Sequence, residues 1–92
     1  MRLVERNWRC PLGEIDFIAD ENGTLVFAEV RMRQSGNHDG AAESVTVAKR
    51  ARLLAAARLY LAGRRDAHRR FDVFLIDGVA GHVQWIRNAF GE

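Results

Sequence analysis

Apolar and polar residues alternate on both sides of the Asn22–Gly23 pair. Ile15, Phe17 and Ala19 occupy every second position before it, and the segment Leu25–Arg33 continues the alternation after it. A period of two is typical of β-strands. Asn-Gly favours a two-residue hairpin turn, because both turn positions need positive φ. The pattern therefore predicts a β-hairpin between two alternating strands.

The two-residue turn fixes which side chains share a face of the hairpin. Asp16 then faces Glu29, and Glu14 faces Arg31, on a side that also carries Arg33. The opposite side is wholly apolar and is predicted to be the core; its members are Ile15, Phe17, Ala19, Val26, Ala28, Val30 and Met32. The charged side is the first candidate for function.

The rest of the chain predicts three more strands and one helix. A strand over Leu3–Arg9 precedes the hairpin, an apolar run of buried-strand type covers Phe71–Asp77, and residues 82–86 form a last strand. The helix is expected to begin near Ser44 or Thr46 and to end near Ala62, before a glycine. The fold class is α/β, a mixed β-sheet with a packed helix, in one domain that spans residues 1–92.

The helix is predicted to have one apolar face and one exposed face. On a period of 3.6 residues, the buried face collects Leu53, Leu54, Ala57, Tyr60 and Leu61. The residues predicted to lie away from it are Arg52, Ala55, Ala56 and Leu59. The helix would then cover one face of the sheet.

Charge is distributed unevenly along the 92 residues. The net charge is +2, but residues 44–70 hold seven arginines and Lys49 against Asp66 alone. A concentrated basic segment suits a polyanionic partner such as DNA, although a solvated basic surface has the same composition. No apolar run approaches a membrane span and no signal-peptide pattern opens the chain. Cys10 is the single cysteine, so no internal disulfide can form and a cytoplasmic setting is expected.

The facing acids Asp16 and Glu29 are a candidate metal site. Directly opposed side chains in a hairpin have β-carbons about 5 Å apart, and like charges so placed repel. Mg²⁺ or Mn²⁺ would remove that repulsion, because both carboxylates could bind one ion. Arg31 would lie on the same side and could hold a phosphate or a water. The alternative is that Glu14–Arg31 and Asp16–Arg33 pairs only solvate an exposed face.

Five segments resemble the YraN family of small bacterial proteins, in order along the chain: NWRCPLGEIDFIA, LVFAEVRMR, AAESVTVAKRARLLAAARLYL, RFDVFLIDG and WIRNAF. That family is similar to restriction-endonuclease-like folds and to Holliday-junction resolvases. Their motif, an acid followed after a spacer by D/E-x-K, falls on Asp16, Glu29 and Arg31. The resemblance implies a Mg²⁺-dependent endonuclease that acts on DNA, with branched DNA as one candidate substrate and with arginine in the lysine position. Arginine stays protonated, so Arg31 could bind phosphate but could not act as a base.

The resemblance also implies roles for the surrounding residues. Asp16 and Glu29 would ligate the metal, with Glu14 assisting from the periphery, and Arg31 would complete the catalytic set. The expected nucleic-acid contacts are Arg33, Lys49, Arg50 and Arg52. Lys49, the single lysine, could replace the missing motif lysine or contact phosphate; the alternative is a solvated lysine in the first turn of the helix. The alternatives are a module that binds DNA without cleaving it and a structural protein that binds an acidic partner.

Similar proteins begin with an extra helix, whereas here Met1 stands only a few residues before the NWRC segment. Either the start of the sequence is misplaced or this version lacks the helix. Without that helix, part of the sheet would be uncovered. An uncovered apolar sheet face favours a homodimer.

Overall fold

A computed structural model of the chain describes residues 1–33, 45–64, 68–78 and 81–91. Five strands form one sheet in the order β1-β2-β3-β4-β5, and all neighbours are antiparallel except β3 and β4. The helix α1 lies between β3 and β4 in the chain, as a parallel strand pair requires. The elements are β1 (Arg2–Cys10), β2 (Gly13–Glu21), β3 (Thr24–Arg33), α1 (Val47–Tyr60), β4 (His68–Asp77) and β5 (His82–Phe90). The predicted mixed α/β order is confirmed.

The hairpin has the predicted register near its turn. Glu21 pairs with Thr24, and the matched pairing continues to Phe17 and Ala28. Asn22 and Gly23 both have positive φ, 52° and 88°. Asp20 accepts a hydrogen bond from the Gly23 amide at 2.9 Å, which further stabilises the turn.

The predicted core face of the hairpin is confirmed only in part. Four of its residues are at most 2% exposed: Ile15, Ala19, Val26 and Ala28. The helix, however, does not pack on that face alone. Helix α1 packs on the face that carries Ile18 and Phe27, whereas Phe17 lies on the other face and Met32 is 67% exposed. Ile15 nevertheless joins the core cluster of Ile18, although the two residues are three positions apart. A strict period of two cannot bring both to one face, so the alternation of β2 breaks between them.

A matching distortion lies in β1. Arg6 pairs with Phe17 and Trp8 pairs with Ile15, while Asn7 between them has a φ of 51°, in the left-handed region. Asparagine tolerates that conformation better than most residues. Trp8 therefore reaches the helix side of the sheet, where its ring lies 5.4 Å from that of Tyr60 in an edge-to-face arrangement.

The helix begins and ends close to its predicted bounds. Thr46 is its N-cap and accepts a hydrogen bond from the Lys49 amide at 3.2 Å, whereas the alternative start at Ser44 lies outside the described residues. The helix is followed by Gly63 with a φ of 83°. Ala56 is fully buried, contrary to the prediction, because α1 lies close enough to the sheet to bury a wider face than one stripe of large residues.

Gly13 marks a close approach of the sheet to the helix. A β-carbon at this position would lie 3.2 Å from the carbonyl oxygen of Arg52 and 3.3 Å from its β-carbon. Such distances are tighter than ordinary van der Waals contact, so a side chain here would push α1 away from β2. The start of β2 and the first turns of α1 are therefore held close together, and this is where the acidic residues of the hairpin lie.

Candidate active site

The backbone pairing of β2 with β3 ends at Phe17 and Ala28. Asp16 and Glu29 are the next residues on the two strands, on the side away from the turn. Beyond Phe17 and Ala28, the Val30 amide donates a hydrogen bond to Asp16 Oδ2 at 2.8 Å. The Asp16 carboxylate thus takes the place of a backbone acceptor at the end of the ladder. A carboxylate held by a backbone N–H between two strands has a fixed position, which a metal ligand or a positioning group needs.

Glu29 is 5% exposed and has two cationic neighbours. Lys49 Nζ lies 2.8 Å from Glu29 Oε1, and Arg31 Nη1 lies 3.8 Å from the same oxygen. Lys49 belongs to the first turn of α1, which the Thr46 cap fixes next to the central strand β3. The fold therefore brings a lysine from the helix to the second acid of the hairpin.

The two carboxylates influence each other. Burial raises the pKa of Glu29, the hydrogen bond from Lys49 opposes this, and the neighbouring Asp16 carboxyl raises the pKa further through its charge and a hydrogen bond. The net direction is upward. A pKa raised by burial and by a second acid is common at functional sites, because two like charges in one site resist ionisation.

Glu14 does not join this pair in the predicted way. It forms an ion pair with Arg9 of β1 at 3.5 Å, and the structure shows no pairing with Arg31 among the described residues. Glu14 and Glu29 do line one pocket of about 230 Å³, together with Lys49. Within the four described ranges, no three His, Cys, Asp or Glu side chains are grouped as metal ligands.

The other predicted basic residues lie in different surroundings. Arg52 is exposed and lines the same pocket as Lys49. Arg50 donates from Nε to the Val45 carbonyl at 3.0 Å, and its guanidinium carbon lies 5.8 Å from the centre of the Phe90 ring. The side chain of Arg33 lies outside the described residues. The structure therefore brings Lys49 and Arg52 to the pocket and turns Arg50 towards the core.

The sequence comparison identifies the family. The sequence model of uncharacterised protein family UPF0102 matches residues 1–76. This chain belongs to family UPF0102. The match contains β1, β2, β3 and α1, and therefore Asp16, Glu29 and Lys49. It confirms the YraN-like resemblance at the level of the family.

Several UPF0102 proteins of bacteria are similar to the whole chain. A UPF0102 protein of Nitrosomonas europaea is 52% identical over 94 residues, which cover 100% of this chain and 80% of the relative. One of Nitrosospira multiformis is 48% identical, with 96% and 76% covered, and one of Dechloromonas aromatica is 47% identical, with 98% and 73% covered. In the described part of the UPF0102 chain, no helix is both long and apolar enough to cross a membrane.

A second charged cluster of the UPF0102 chain was not predicted. Asp72 is fully buried and accepts hydrogen bonds from Arg70 Nε at 3.0 Å, from Trp85 Nε1 at 2.7 Å and from the Asn88 amide at 3.0 Å. Arg70 also donates to Glu21 at 2.9 Å. The signal in the sequence is an acid inside the apolar run that forms β4, since a buried charge needs partners.

The acids Glu21 and Glu29 are expected to affect stability with opposite signs. The hydrogen bond from Arg70 lowers the pKa of Glu21, whereas burial raises that of Glu29. A carboxyl whose pKa is lower in the folded protein than in the unfolded chain stabilises the fold at pH values above its unfolded pKa. This stabilisation is lost as the pH falls through the folded pKa. A carboxyl whose pKa is higher in the folded protein destabilises the fold as the pH rises from its unfolded pKa through its folded pKa. At pH 7, Glu21→Gln should therefore lower the melting temperature and Glu29→Gln should raise it.

Thermal unfolding followed by circular dichroism over a pH series tests both signs. The Glu29→Gln difference should disappear below about pH 4, where the carboxyl is protonated in both states. The Glu21→Gln difference should persist to lower pH, because the folded pKa of Glu21 is lowered. Shifts of the same sign at pH 7 would contradict the assignment.

Proposed function

We propose that the chain is a Mg²⁺- or Mn²⁺-dependent phosphodiesterase that cleaves DNA and has a restriction-endonuclease-like fold. The observation that carries the proposal is the position of Asp16 beside Glu29, with Lys49 Nζ 2.8 Å from the second acid. Two neighbouring acids and a cation are the groups that the nuclease motif requires. The DNA substrate and a cytoplasmic location belong to the same proposal.

The donor set suits a hard divalent cation. Mg²⁺ binds one or two protein carboxylates and keeps several waters, so Asp16 and Glu29 are sufficient as protein ligands. A bound ion would polarise a phosphate and lower the pKa of a water. Glu14, paired with Arg9, would act at most from the periphery.

The cations beside the acids have separate roles in this proposal. Lys49 supplies the ammonium group that the motif normally places two residues after the second acid. Arg31, 3.8 Å from Glu29, holds the phosphate or the attacking water with its guanidinium group. Arg52 lines the pocket beside Lys49 and contacts the DNA backbone, as the concentration of basic residues in this segment suggests.

A direct assay tests the proposal. The protein is incubated with branched, single-stranded and duplex DNA, each with Mn²⁺, with Mg²⁺ and with EDTA. Cleavage of at least one substrate that requires the metal is expected. Absence of cleavage on all three substrates with either metal would reject the proposal.

A module that binds DNA without cleavage is the second candidate. It is favoured by the Lys49–Glu29 ion pair, which already neutralises one acid, and by the lack of a third grouped ligand in the described residues. This candidate predicts salt-sensitive DNA binding that persists in Asp16→Ala and Glu29→Ala without cleavage by the wild type. No measurable affinity near 100 mM salt, where the Debye length is about 10 Å, would instead favour a protein partner.

Arg31→Lys is expected to increase metal-dependent cleavage. Lysine restores the motif residue, and its compact ammonium can approach a water that a planar guanidinium cannot reach in the same way. An increase of up to about tenfold is reasonable for one better-placed group. Initial rates at saturating Mn²⁺ measure it, with Arg9→Lys as the matched control on β1. A lower rate in Arg31→Lys would mean that the guanidinium has its own role.

A further inference from the structure

The sheet face opposite α1 carries a row of aromatic rings. Phe17 of β2 lies 5.2 Å from Phe74 of β4, and Phe74 stacks on Trp85 of β5 at 5.4 Å with an angle of 16° between the rings. All three residues are only partly buried. Helix α1, the one helix in the described part of the chain, packs on the other face of the sheet. These rings therefore remain accessible, and Leu3 beside them is 49% exposed.

An open groove on this face has Asp16 of the candidate active site among its lining residues. Its volume is about 530 Å³, within the range of about 300–1,000 Å³ that small-molecule sites have. The lining residues come from β1, β2 and β3 and are Leu3, Arg6, Asn7, Asp16, Phe17 and Val30. The walls are thus an aromatic ring, aliphatic side chains and the amide of Asn7, with one cation and the Asp16 carboxylate.

The lining of the groove holds one cation, Arg6, and one acid, Asp16, so only the part of the groove at Arg6 favours an anion. The acids elsewhere on this face are already paired: Asp72 accepts from Arg70 and Trp85, and Glu21 accepts from Arg70 and Arg87. Arg6 is exposed and forms no ion pair within the described parts of the chain. An uncompensated guanidinium beside an aromatic wall complements a phosphate that is attached to a flat base.

We propose that this groove binds an unpaired nucleotide of a DNA strand, with its base against Phe17 and its phosphate at Arg6. A base presents its face to an aromatic side chain only when it is not stacked inside a duplex. The substrate class would therefore be single-stranded DNA or an unpaired arm of a branched molecule. That the strand continues from the groove to Asp16 for cleavage rests on the proposed function, whereas the binding itself does not.

Fluorescence anisotropy in EDTA tests the binding without cleavage. A labelled oligo(dT) and a duplex of the same length are titrated with the full chain over a series of salt concentrations, with oligo(U) as a further arm. The wild type should bind oligo(dT) at least about tenfold more tightly than duplex, because stacking is available only to the unpaired strand. Equal or tighter binding of duplex would overturn the proposal, and a preference for oligo(U) would overturn the assignment to DNA.

Arg6→Gln is the discriminating variant, and Arg58→Gln is the matched control on α1. Loss of one phosphate contact should reduce the slope of log K against log salt by about 0.7 for a single strand. Arg58→Gln should leave that slope unchanged. Equal slopes in the two variants would mean that Arg6 contacts no phosphate and would overturn the proposal.

Phe17→Leu tests the base contact. Binding of oligo(dT) should weaken by at least about fivefold, since one stacked base is lost. The melting temperature is measured in parallel, and Phe17→Tyr, which keeps the ring and its packing, should bind like the wild type. If Phe17→Tyr and Phe17→Leu weaken binding equally, or neither does, the ring is not a stacking platform.

A second copy of the chain is the rival occupant of this face. Sedimentation at the assay concentration decides between them: the groove is accessible in a monomer, and a dimer that Arg6→Gln or Leu3→Gln converts to a monomer would overturn the proposal. Because these measurements contain no metal, their failure is separate from a failure to cleave DNA. Cleavage of duplex DNA with no preference for unpaired strands would support the proposed function but would contradict this inference.

Discussion

Asp16→Asn and Glu29→Gln are each expected to reduce metal-dependent DNA cleavage by more than about 100-fold. Substitutions in the outer shell of metal sites already cost about 10–100-fold, and these two remove a charged ligand itself. The amide variants keep the shape of each side chain. In Asp16→Asn the new amide oxygen could still accept the hydrogen bond that Asp16 receives from the Val30 amide at 2.8 Å, so the hairpin should remain intact. Initial rates across a Mn²⁺ titration measure the effect.

Glu14→Gln is the control for this experiment. It also removes one acid from β2, but Glu14 pairs with Arg9 at 3.5 Å and is more exposed, so its loss should change the rate little. DNA binding in EDTA should be retained in all three variants, which separates lost chemistry from lost structure. Metal-dependent cleavage that survives both Asp16→Asn and Glu29→Gln would show that the chemistry takes place elsewhere.

The hairpin could be predicted because its information is local. Asn22 and Gly23 both adopt positive φ, and that turn alone determines that Glu21 pairs with Thr24. The helix start is also local, since Thr46 caps it through its own side chain. Family UPF0102 is recognisable from the segments that carry these same elements.

The buried face could not be predicted in the same way. Apolar residues stand on both faces of the hairpin, so alternation alone does not show which face meets the helix. The break between Ile15 and Ile18, matched by the left-handed Asn7 in β1, moves residues between faces. A pattern within one strand contains no information about a distortion shared by two paired strands.

The surroundings of the two acids depend on packing across the chain. Lys49 is a candidate from sequence because it is the single lysine at the helix start, but its 2.8 Å contact with Glu29 follows from the crossover that lays α1 beside β3. The predicted pairing of Glu14 with Arg31 assumes that the ladder continues. The strands instead separate at Asp16, and Arg9 of the neighbouring strand β1 pairs with Glu14.

The network around Asp72 has the complete set of partners that is typical of a buried charge with a structural role. Asp72 has no solvent exposure, and each of its oxygens accepts from named donors on β4 and β5. The Glu29 site differs, because there two acids lie together and burial raises the pKa of one of them. The proposed metal site depends on this second arrangement, in which two acids lie in one site, and among the described residues the Asp72 network has no second acid of that kind.

Asp72→Ala is therefore expected to lower the free energy of unfolding by about 3–5 kcal/mol, the usual cost of removing one partner of a buried ion pair. The variant removes the buried one of the two carboxylates that pair with Arg70, leaving Glu21, and it leaves the Trp85 indole N–H without its acceptor. Since a small domain is stable by only about 5–15 kcal/mol, the loss is a large fraction of the total. The melting temperature should fall by more than about 10 °C, as followed by circular dichroism.

Glu14→Ala is the matched control for the stability measurement, because it removes an acid from an exposed ion pair that is worth about 0–1 kcal/mol. Asp72→Asn should recover part of the loss, since its amide oxygen can still accept from Trp85, while of the two charges that balance Arg70 only that of Glu21 remains. The order of stability should then be Glu14→Ala above Asp72→Asn above Asp72→Ala. If Asp72→Ala had the same melting temperature as Glu14→Ala, the network would not stabilise the pairing of β4 with β5. Asp72 would then be a candidate for a functional role instead of a structural one.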